Sequence, residues 1–319
     1  MGEYIMNVKP ILSIVIPCYN STDTLEQVVQ EIVATMSKQD LKYEIILVDD
    51  GSPNGTTYPK ICELAQKNRF VKGIQLSRNF GQPNAVMAGI NNAIGDYIVC
   101  GDDDGETPFG EIPRMLEKIY EGFDVVEAKY VQKDERGIRR KIGTKLNEIM
   151  QTVFINKPAD LSLTTFWIIK KYVAVEMCKY RNAHPYIGGL IIRNTNNICN
   201  IEVTRRKRIS GTSGYSLKKM MELWLNGFTT FSTKPLRMTS YLGCLLGGVG
   251  FLVAIVTVVR KIINPNVMAG YTSLMAVILF LFGVLFFVLG VFGEYIGQTY
   301  LALNNTPQFV VKDTVNFDE

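Results

Sequence analysis

The chain has 319 residues, 47% of them hydrophobic, with 34 Lys plus Arg against 30 Asp plus Glu and a formal net charge of +4. So slight a basic excess gives no reason to expect a nucleic-acid partner. Six cysteines without a CxxC or paired spacing, beside the single histidine His184, argue against a zinc site or a disulfide framework.

Residues 1–10 include Glu3 and Lys9 but no apolar stretch of signal-peptide length, so the domain that follows is expected to stay in the cytoplasm. Ile11 to Ile16 is a β-branched run ending at Pro17; Asn20-Ser21-Thr22 then leads into an amphipathic stretch from Thr24 to Met36, predicting strand, turn and helix. The pattern repeats: strand 43–48 stopped by Asp49-Asp50-Gly51-Ser52, helix 58–67, strand 73–76, helix 81–93, and strand 97–100 running into Asp102-Asp103-Asp104. Such alternation predicts a parallel sheet covered on both faces. Ligands of these sheets bind beyond the carboxyl ends of the strands, where both acidic segments fall. A helix from 113 to 121, a strand from 125 to 130 and a charged segment 133–145 follow.

The C-terminal part changes character. Leu217, Met220, Met221, Trp224, Leu225 and Phe228 recur at helical spacing beside Lys218 and Lys219, which suits an amphipathic helix at a membrane interface or a core helix of the preceding domain. Residues 240–259 and 271–293 carry no charge and are long enough to span a bilayer. Asn264-Pro265-Asn266 lies between them, so the two spans are expected to form a hairpin. Lys218, Lys219, Lys234 and Arg237 put the preceding domain on the cytoplasmic side, although Arg260 and Lys261 stand at the far end. Gly243, Gly247 and Gly250 would allow close helix packing, within the hairpin or between subunits.

Three consecutive carboxylates repel one another. In isolation the triplet suits a solvated acidic turn as well as a site for a hard divalent cation with a diphosphate. Its company is more specific: Ser13-Ile14-Val15-Ile16-Pro17-Cys18-Tyr19-Asn20, Glu44 to Ser52, Leu76-Ser77-Arg78-Asn79-Phe80-Gly81-Gln82, Ala88-Gly89, Gly95-Asp96, and Asp102-Asp103-Asp104-Gly105-Glu106-Thr107-Pro108. In this order and spacing the segments resemble the polyprenyl-phosphate type of family 2 glycosyltransferase, over nearly the whole chain.

The resemblance implies a GT-A-like, Rossmann-type α/β domain over 1–212, an interface helix and linker at 213–237, a transmembrane hairpin at 238–297 and a cytoplasmic tail at 298–319. It implies that Pro17, Tyr19, Asn20 and Asp50 border the nucleotide, that Asp103 belongs with them to the nucleotide-sugar site, and that Asp102 and the catalytic Asp104 flank the diphosphate and hold Mg2+ or Mn2+. Glu106 stands where relatives often have Gln. Arg208-Ile209-Ser210-Gly211-Thr212-Ser213 matches a loop whose arginine meets the diphosphate, so Arg208 and Ser213 are assigned to the donor; a guanidinium offers phosphate oxygens forked donors. Arg136, Arg139 and Arg140 are candidates for the lipid phosphate, or else an exposed charged hairpin. Asp160 lies near a position proposed as a base in relatives, but the segment Leu161 to Trp167 aligns insecurely.

The implied reaction is inverting transfer of one sugar from a nucleoside diphosphate sugar, with a UDP-hexose such as UDP-glucose favoured over GDP-mannose, to polyprenyl phosphate at a bacterial inner membrane. A processive polysaccharide synthase would add a Gln-x-x-Arg-Trp segment, and neither Trp167 nor Trp224 has that context. A non-catalytic membrane adaptor is the other alternative, opposed by the joint presence of Asp50, Asp102, Asp104 and Arg208. The lipid bilayer, a second copy of the chain and a downstream flippase are carried as candidate partners.

Overall fold

The computed structural model describes residues 11–131, 152, 157–158, 160–204, 206, 234–264, 270–304 and 306–317. They fall into two units: residues up to 206 together with 306–317, and residues 234–304.

The first unit is built on an eight-stranded sheet of order β7-β5-β6-β4-β1-β2-β3-β8. Its strands are β1 (Ile11–Cys18), β2 (Lys42–Asp49), β3 (Val71–Leu76), β4 (Tyr97–Cys100), β5 (Val125–Val131), β6 (Trp167–Lys170), β7 (Ile198–Thr204) and β8 (Val311–Val315). Helices α1 (Leu25–Met36), α2 (Thr57–Lys67), α3 (Gln82–Asn91), α4 (Ile112–Tyr120), α5 (Lys171–Cys178) and α6 (Ile187–Asn194) complete it. Strand β1 is apolar nearly throughout because both its faces are covered. Leu12, Ile14 and Ile16 pack with Leu25, Val28, Val29, Ile32 and Met36, the one-sided stripe that makes α1 amphipathic.

The four strands legible in the first 100 residues do pair in parallel, as β4-β1-β2-β3. The rest of the sheet corrects the all-parallel expectation. Strand β6 runs antiparallel to both β4 and β5, β7 is parallel to β5, and β8 is antiparallel to β3. Only four residues long, β6 directly precedes α5 and has no room for an alternating pattern of its own.

A buried polar cluster fixes the end of the sheet away from the strand carboxyl ends. Ser13 Oγ donates to Glu44 Oε1 at 2.5 Å, Ile94 N donates to the same oxygen at 2.9 Å, and Lys72 Nζ pairs with Glu44 Oε2 at 2.9 Å. Gly95 N donates to Ser13 Oγ at 2.9 Å, and a side chain at Gly95 would collide with that hydroxyl. The α3–β4 connection is thereby held against β1 and β2, and β4 is aimed to deliver Asp102 at the opposite edge.

The segment expected as a tail at 298–319 divides in two. Its first part extends a helix to Leu303, and residues 306–317 return to the first unit. Strand β8 covers the β3 edge, Ser77 N donates to Val310 O at 2.9 Å, and Gln308 Nε2 reaches the carbonyls of Tyr180 and Asn182. Asn316, at φ 60°, donates to Ala65 O at 2.8 Å and Val71 O at 2.9 Å. An edge strand supplies unpaired backbone groups to any segment able to pair with it. That pairing is long-range and leaves little trace in the local pattern Val311-Lys312-Asp313-Thr314-Val315.

The second unit consists of α7 (Lys234–Ile263) and α8 (Tyr271–Leu303), each with a segment long and apolar enough to cross a membrane. Leu245, Phe251 and Phe286 are about two-thirds exposed, at 65%, 68% and 68%. Apolar surface left uncovered at the described residues of both helices suits lipid, not water. The uncharged interval 238–259 of α7, bounded by Arg237 and Arg260, would measure roughly 33 Å at 1.5 Å per residue, close to the ~30 Å hydrocarbon core. Among the described residues, a methyl group placed at Gly243 or Gly250 would meet nothing within 4 Å. The interface helix expected at 217–228 lies outside the described residues.

Candidate active site

The carboxyl ends of β1, β2 and β4 meet three loops in one acidic crevice. After β1 the chain turns sharply, with Asn20 at φ 56° and Tyr19 45% exposed. Tyr19 N donates to Ser21 Oγ at 2.9 Å and to Asp103 Oδ2 at 3.3 Å, and Ser21 Oγ donates to the same carboxylate oxygen. Asp103 is thus the anchor of the Tyr19 turn. Asn20 N donates to Ser52 Oγ at 3.0 Å, and Ser52 in turn donates to Asp49 from both its amide and its hydroxyl.

Asp50 is 3% exposed, and its two oxygens accept from Phe80 N at 2.7 Å and Gly81 N at 2.9 Å. Its carboxylate therefore organises the 77–81 loop. The neighbouring Gly51, at φ 60°, lies so close to the Arg78 backbone that a Cβ would stand 2.3 Å from its carbonyl carbon. Only glycine satisfies both the backbone angle and the approach.

Asp102 is held from both sides: Gln82 Nε2 donates to Oδ1 at 2.7 Å and Thr165 Oγ1 donates to Oδ2 at 2.5 Å. Its own amide donates to Thr107 Oγ1 at 3.0 Å. Asp104 Oδ1 accepts from Glu106 N at 2.9 Å across Gly105, whose φ is 78°. Asp102 and Asp103 are only partly accessible, and neither forms an ion pair among the described residues. Burial raises both above the ordinary carboxylate range, Asp102 to about 6 and Asp103 to about 7, with added repulsion from neighbouring carboxylates. Enclosed carboxylates of this kind favour binding a cation, which restores their charged forms.

No group of three or more His, Cys, Asp or Glu side chains among the described residues is arranged to hold a metal. Magnesium-like ions take hard oxygen ligands, commonly one or two carboxylates completed by water and phosphate oxygens. Asp102 and Asp104 fit that donor chemistry without a third protein carboxylate.

Of the other residues singled out in the sequence, Pro17 is buried within β1, paired in register with Val48. Asp160 is exposed on a turn and bonds to none of the acidic cluster. Arg136, Arg139, Arg140, Arg208 and Ser213 lie outside the described residues. The reading of the sequence missed the roles of Gln82, Ser21, Ser52 and Thr165. Gln82 and Ser52 sat inside recognised motifs without an assigned partner, whereas nothing local marked Thr165, 63 residues from Asp102.

The family model described as "Glycosyl transferase family 2" matches residues 13–178, and that described as "GtrB C-terminal hairpin" matches residues 234–299. The chain belongs to glycosyl transferase family 2. As a member of that family it is a glycosyltransferase, of the polyprenyl-phosphate type, with a GT-A-like domain and a C-terminal hairpin. It is 31% identical over 96% of its length to the "Uncharacterized glycosyltransferase YkcC" of Bacillus subtilis (strain 168), covering 94% of that protein. To the undecaprenyl-phosphate 4-deoxy-4-formamido-L-arabinose transferase of Proteus mirabilis (strain HI4320) it is 30% identical over 95% of its length, covering 94% of the relative. The fold also resembles glucosyl-3-phosphoglycerate synthase from Mycobacterium tuberculosis, solved with Mn2+, UDP-glucose and phosphoglyceric acid. That match has a TM-score of 0.52 at 17% identity, over 68% of this chain and 78% of the other.

Proposed function

We propose that this glycosyltransferase moves a single sugar, with inversion, from a nucleoside diphosphate sugar to undecaprenyl phosphate at the cytoplasmic face of a bacterial inner membrane. The observation that carries the reading is the union, in one chain, of the Asp102–Asp104 crevice with a hairpin of two membrane-length helices. Strand β8 adds support: both ends of the hairpin connect to the same globular unit, as two crossings returning to one side require. The acceptor is taken from the Proteus mirabilis relative, whose name specifies undecaprenyl phosphate. UDP-glucose, the donor bound in the Mycobacterium tuberculosis structure, is the first choice among UDP-hexoses.

In this reading Tyr19, Asn20 and Pro17 border the nucleotide, Asp103 anchors the Tyr19 turn, and Asp50 shapes the 77–81 loop. Asp102 and Asp104 would hold Mg2+ or Mn2+, which when bound supplies Lewis-acid neutralisation of the diphosphate leaving group. Gln82 and Thr165 keep Asp102 in one orientation. Arg208 and Ser213 are assigned to the diphosphate, and Arg136, Arg139 and Arg140 to the lipid phosphate. An acceptor phosphate oxygen attacks the anomeric carbon as the bond to the diphosphate breaks, releasing the nucleoside diphosphate. A phosphate monoester loses its second proton near pH ~6, so the acceptor is already anionic at neutral pH. Positioning and charge neutralisation then carry the chemistry, and Asp160 is left as a candidate base whose contribution is small.

The test is a donor screen against undecaprenyl phosphate with the full chain in nanodiscs, the lipid product identified by mass spectrometry. A single-sugar lipid phosphate, with nucleoside diphosphate release that requires both lipid and divalent cation, is expected. Release at the same rate without lipid would replace this acceptor with water or another nucleophile.

A further inference from the structure

Glu127, in the middle of β5, is a fully buried carboxyl group at 0% exposure with no ion pair among the described residues. One oxygen is engaged: Oε2 accepts from Thr164 N at 2.8 Å and lies 3.3 Å from Thr164 Oγ1. The other, Oε1, has no hydrogen-bond partner. A buried charge in that condition is costly, and a carboxyl group is far from the obvious filler for an interior strand position flanked by Val126 and Ala128. Its position explains its presence. Thr164 lies in the segment leading into β6, and the next residue, Thr165, donates to Asp102. The same segment is fastened beside Glu127: Ser162 exchanges two hydrogen bonds with Asn200, at 2.8 and 2.9 Å, and Ala128 N donates to Phe166 O at 2.9 Å. Asn200 faces Glu127 across the β5–β7 pairing and Trp167 faces it across β5–β6.

We propose that Glu127 is a positioning residue for the acidic crevice: it clamps Thr164 so that the Thr165 hydroxyl is presented to Asp102. The inference rests on the reading of Asp102 as part of the donor site. Burial raises the Glu127 carboxyl to about 8, so at neutral pH the clamp works as a neutral acid and adds no charge near the anionic donor. What matters is an acceptor at the right distance from the Thr164 amide. Glu127→Gln keeps such an acceptor, whereas Glu127→Asp withdraws it by one methylene and Glu127→Ala removes it.

The experiment measures Mn2+ binding in the presence of UDP by electron paramagnetic resonance, on the full chain in nanodiscs, for wild type, Asp102→Asn, Glu127→Ala, Glu127→Asp, Glu127→Gln, Thr165→Val and the Glu127→Asp/Thr165→Val double variant. Residues that orient metal ligands typically change affinity about 10–100-fold when removed. We expect Asp102→Asn to abolish binding, Glu127→Asp and Thr165→Val each to weaken it about tenfold, the double variant to be no weaker than either, and Glu127→Gln to match wild type. Should Glu127→Ala not fold, Glu127→Asp decides. The proposal is overturned if Glu127→Asp lowers only the melting temperature, if Glu127→Gln binds as poorly as Glu127→Asp, or if the losses multiply in the double variant. Wild-type binding by Asp102→Asn would instead remove the donor-site reading itself, and this inference with it.

Discussion

Gln82 Nε2 donates to Asp102 Oδ1 at 2.7 Å, joining the first turn of α3 to the loop after β4. The bond places a neutral donor against a carboxylate already raised to about 6 by burial. Gln82→Ala removes one of the two side-chain donors to Asp102 and should lower turnover about tenfold without unfolding the domain. Gln82→Glu sets a second carboxylate against Asp102 and should be the more damaging change, because like charges in one enclosed site cannot both ionise freely. Steady-state kinetics as a function of Mn2+ concentration separates the two: the Glu variant should need more cation, and equal behaviour would show that the contact does not orient Asp102.

Asp104 forms no part of the hydrophobic core, and its Oδ1 accepts from Glu106 N. Asp104→Asn preserves shape and an acceptor but removes the charge. Turnover should fall by at least about 100-fold, the scale on which a single electrostatic group aimed at a transition state acts, while circular dichroism and melting temperature stay close to wild type. Wild-type activity in this variant would remove the role of the triplet at the diphosphate.

Glu127 sets a pH dependence of stability whose sign can be worked out. Its folded pKa is about 8 against an ordinary 4.5, so the folded state holds a proton that the unfolded chain releases. The contribution is complete below about pH 4.5 and declines as pH rises through 8, by at most ~1.4 kcal/mol per pH unit. Denaturant unfolding at pH 6 and pH 8.5 should show the loss, and Glu127→Gln should reduce it to the smaller part owed to Asp103. An unchanged slope in the variant would assign the pH dependence to another group.

Asn316 closes the return of the chain onto the sheet through its two hydrogen bonds, to Ala65 O and Val71 O. Asn316→Ala removes both bonds and substitutes a residue less suited to φ 60°. A loss of about 2 kcal/mol is expected for two hydrogen bonds, visible as a lower melting temperature of the globular unit. Deleting 306–319 should cost more, since it also uncovers the β3 edge.

How much was legible varied with the range of the interaction. The β-branched run before Pro17 and the stripe of α1 have local periods, and both were found where expected. So were the charge-free stretches of α7 and α8, because a membrane-spanning length is a property of consecutive residues. The acidic triplet and Asp49-Asp50-Gly51-Ser52 were placed correctly at strand ends, since the alternation of strand and helix puts them there. Strands β6, β7 and β8 were not foreseen: β6 is too short to show a period, β7 buries only Ile201 and Val203, and β8 is a strand only because β3 offers it an edge.

By itself, then, the sequence determined the chemistry the chain carries and the two media it meets, because composition, period and motif order are local records of burial, charge and lipid contact. The tertiary structure decided which groups answer to one another. Asp50 turned out to organise a loop, Asp103 to anchor the Tyr19 turn, and Asp102 to sit between Gln82 and Thr165. Those pairings join residues 20 to 84 positions apart, and the packing of β4 between β1 and β6, with β3 beside β2, brings them within reach.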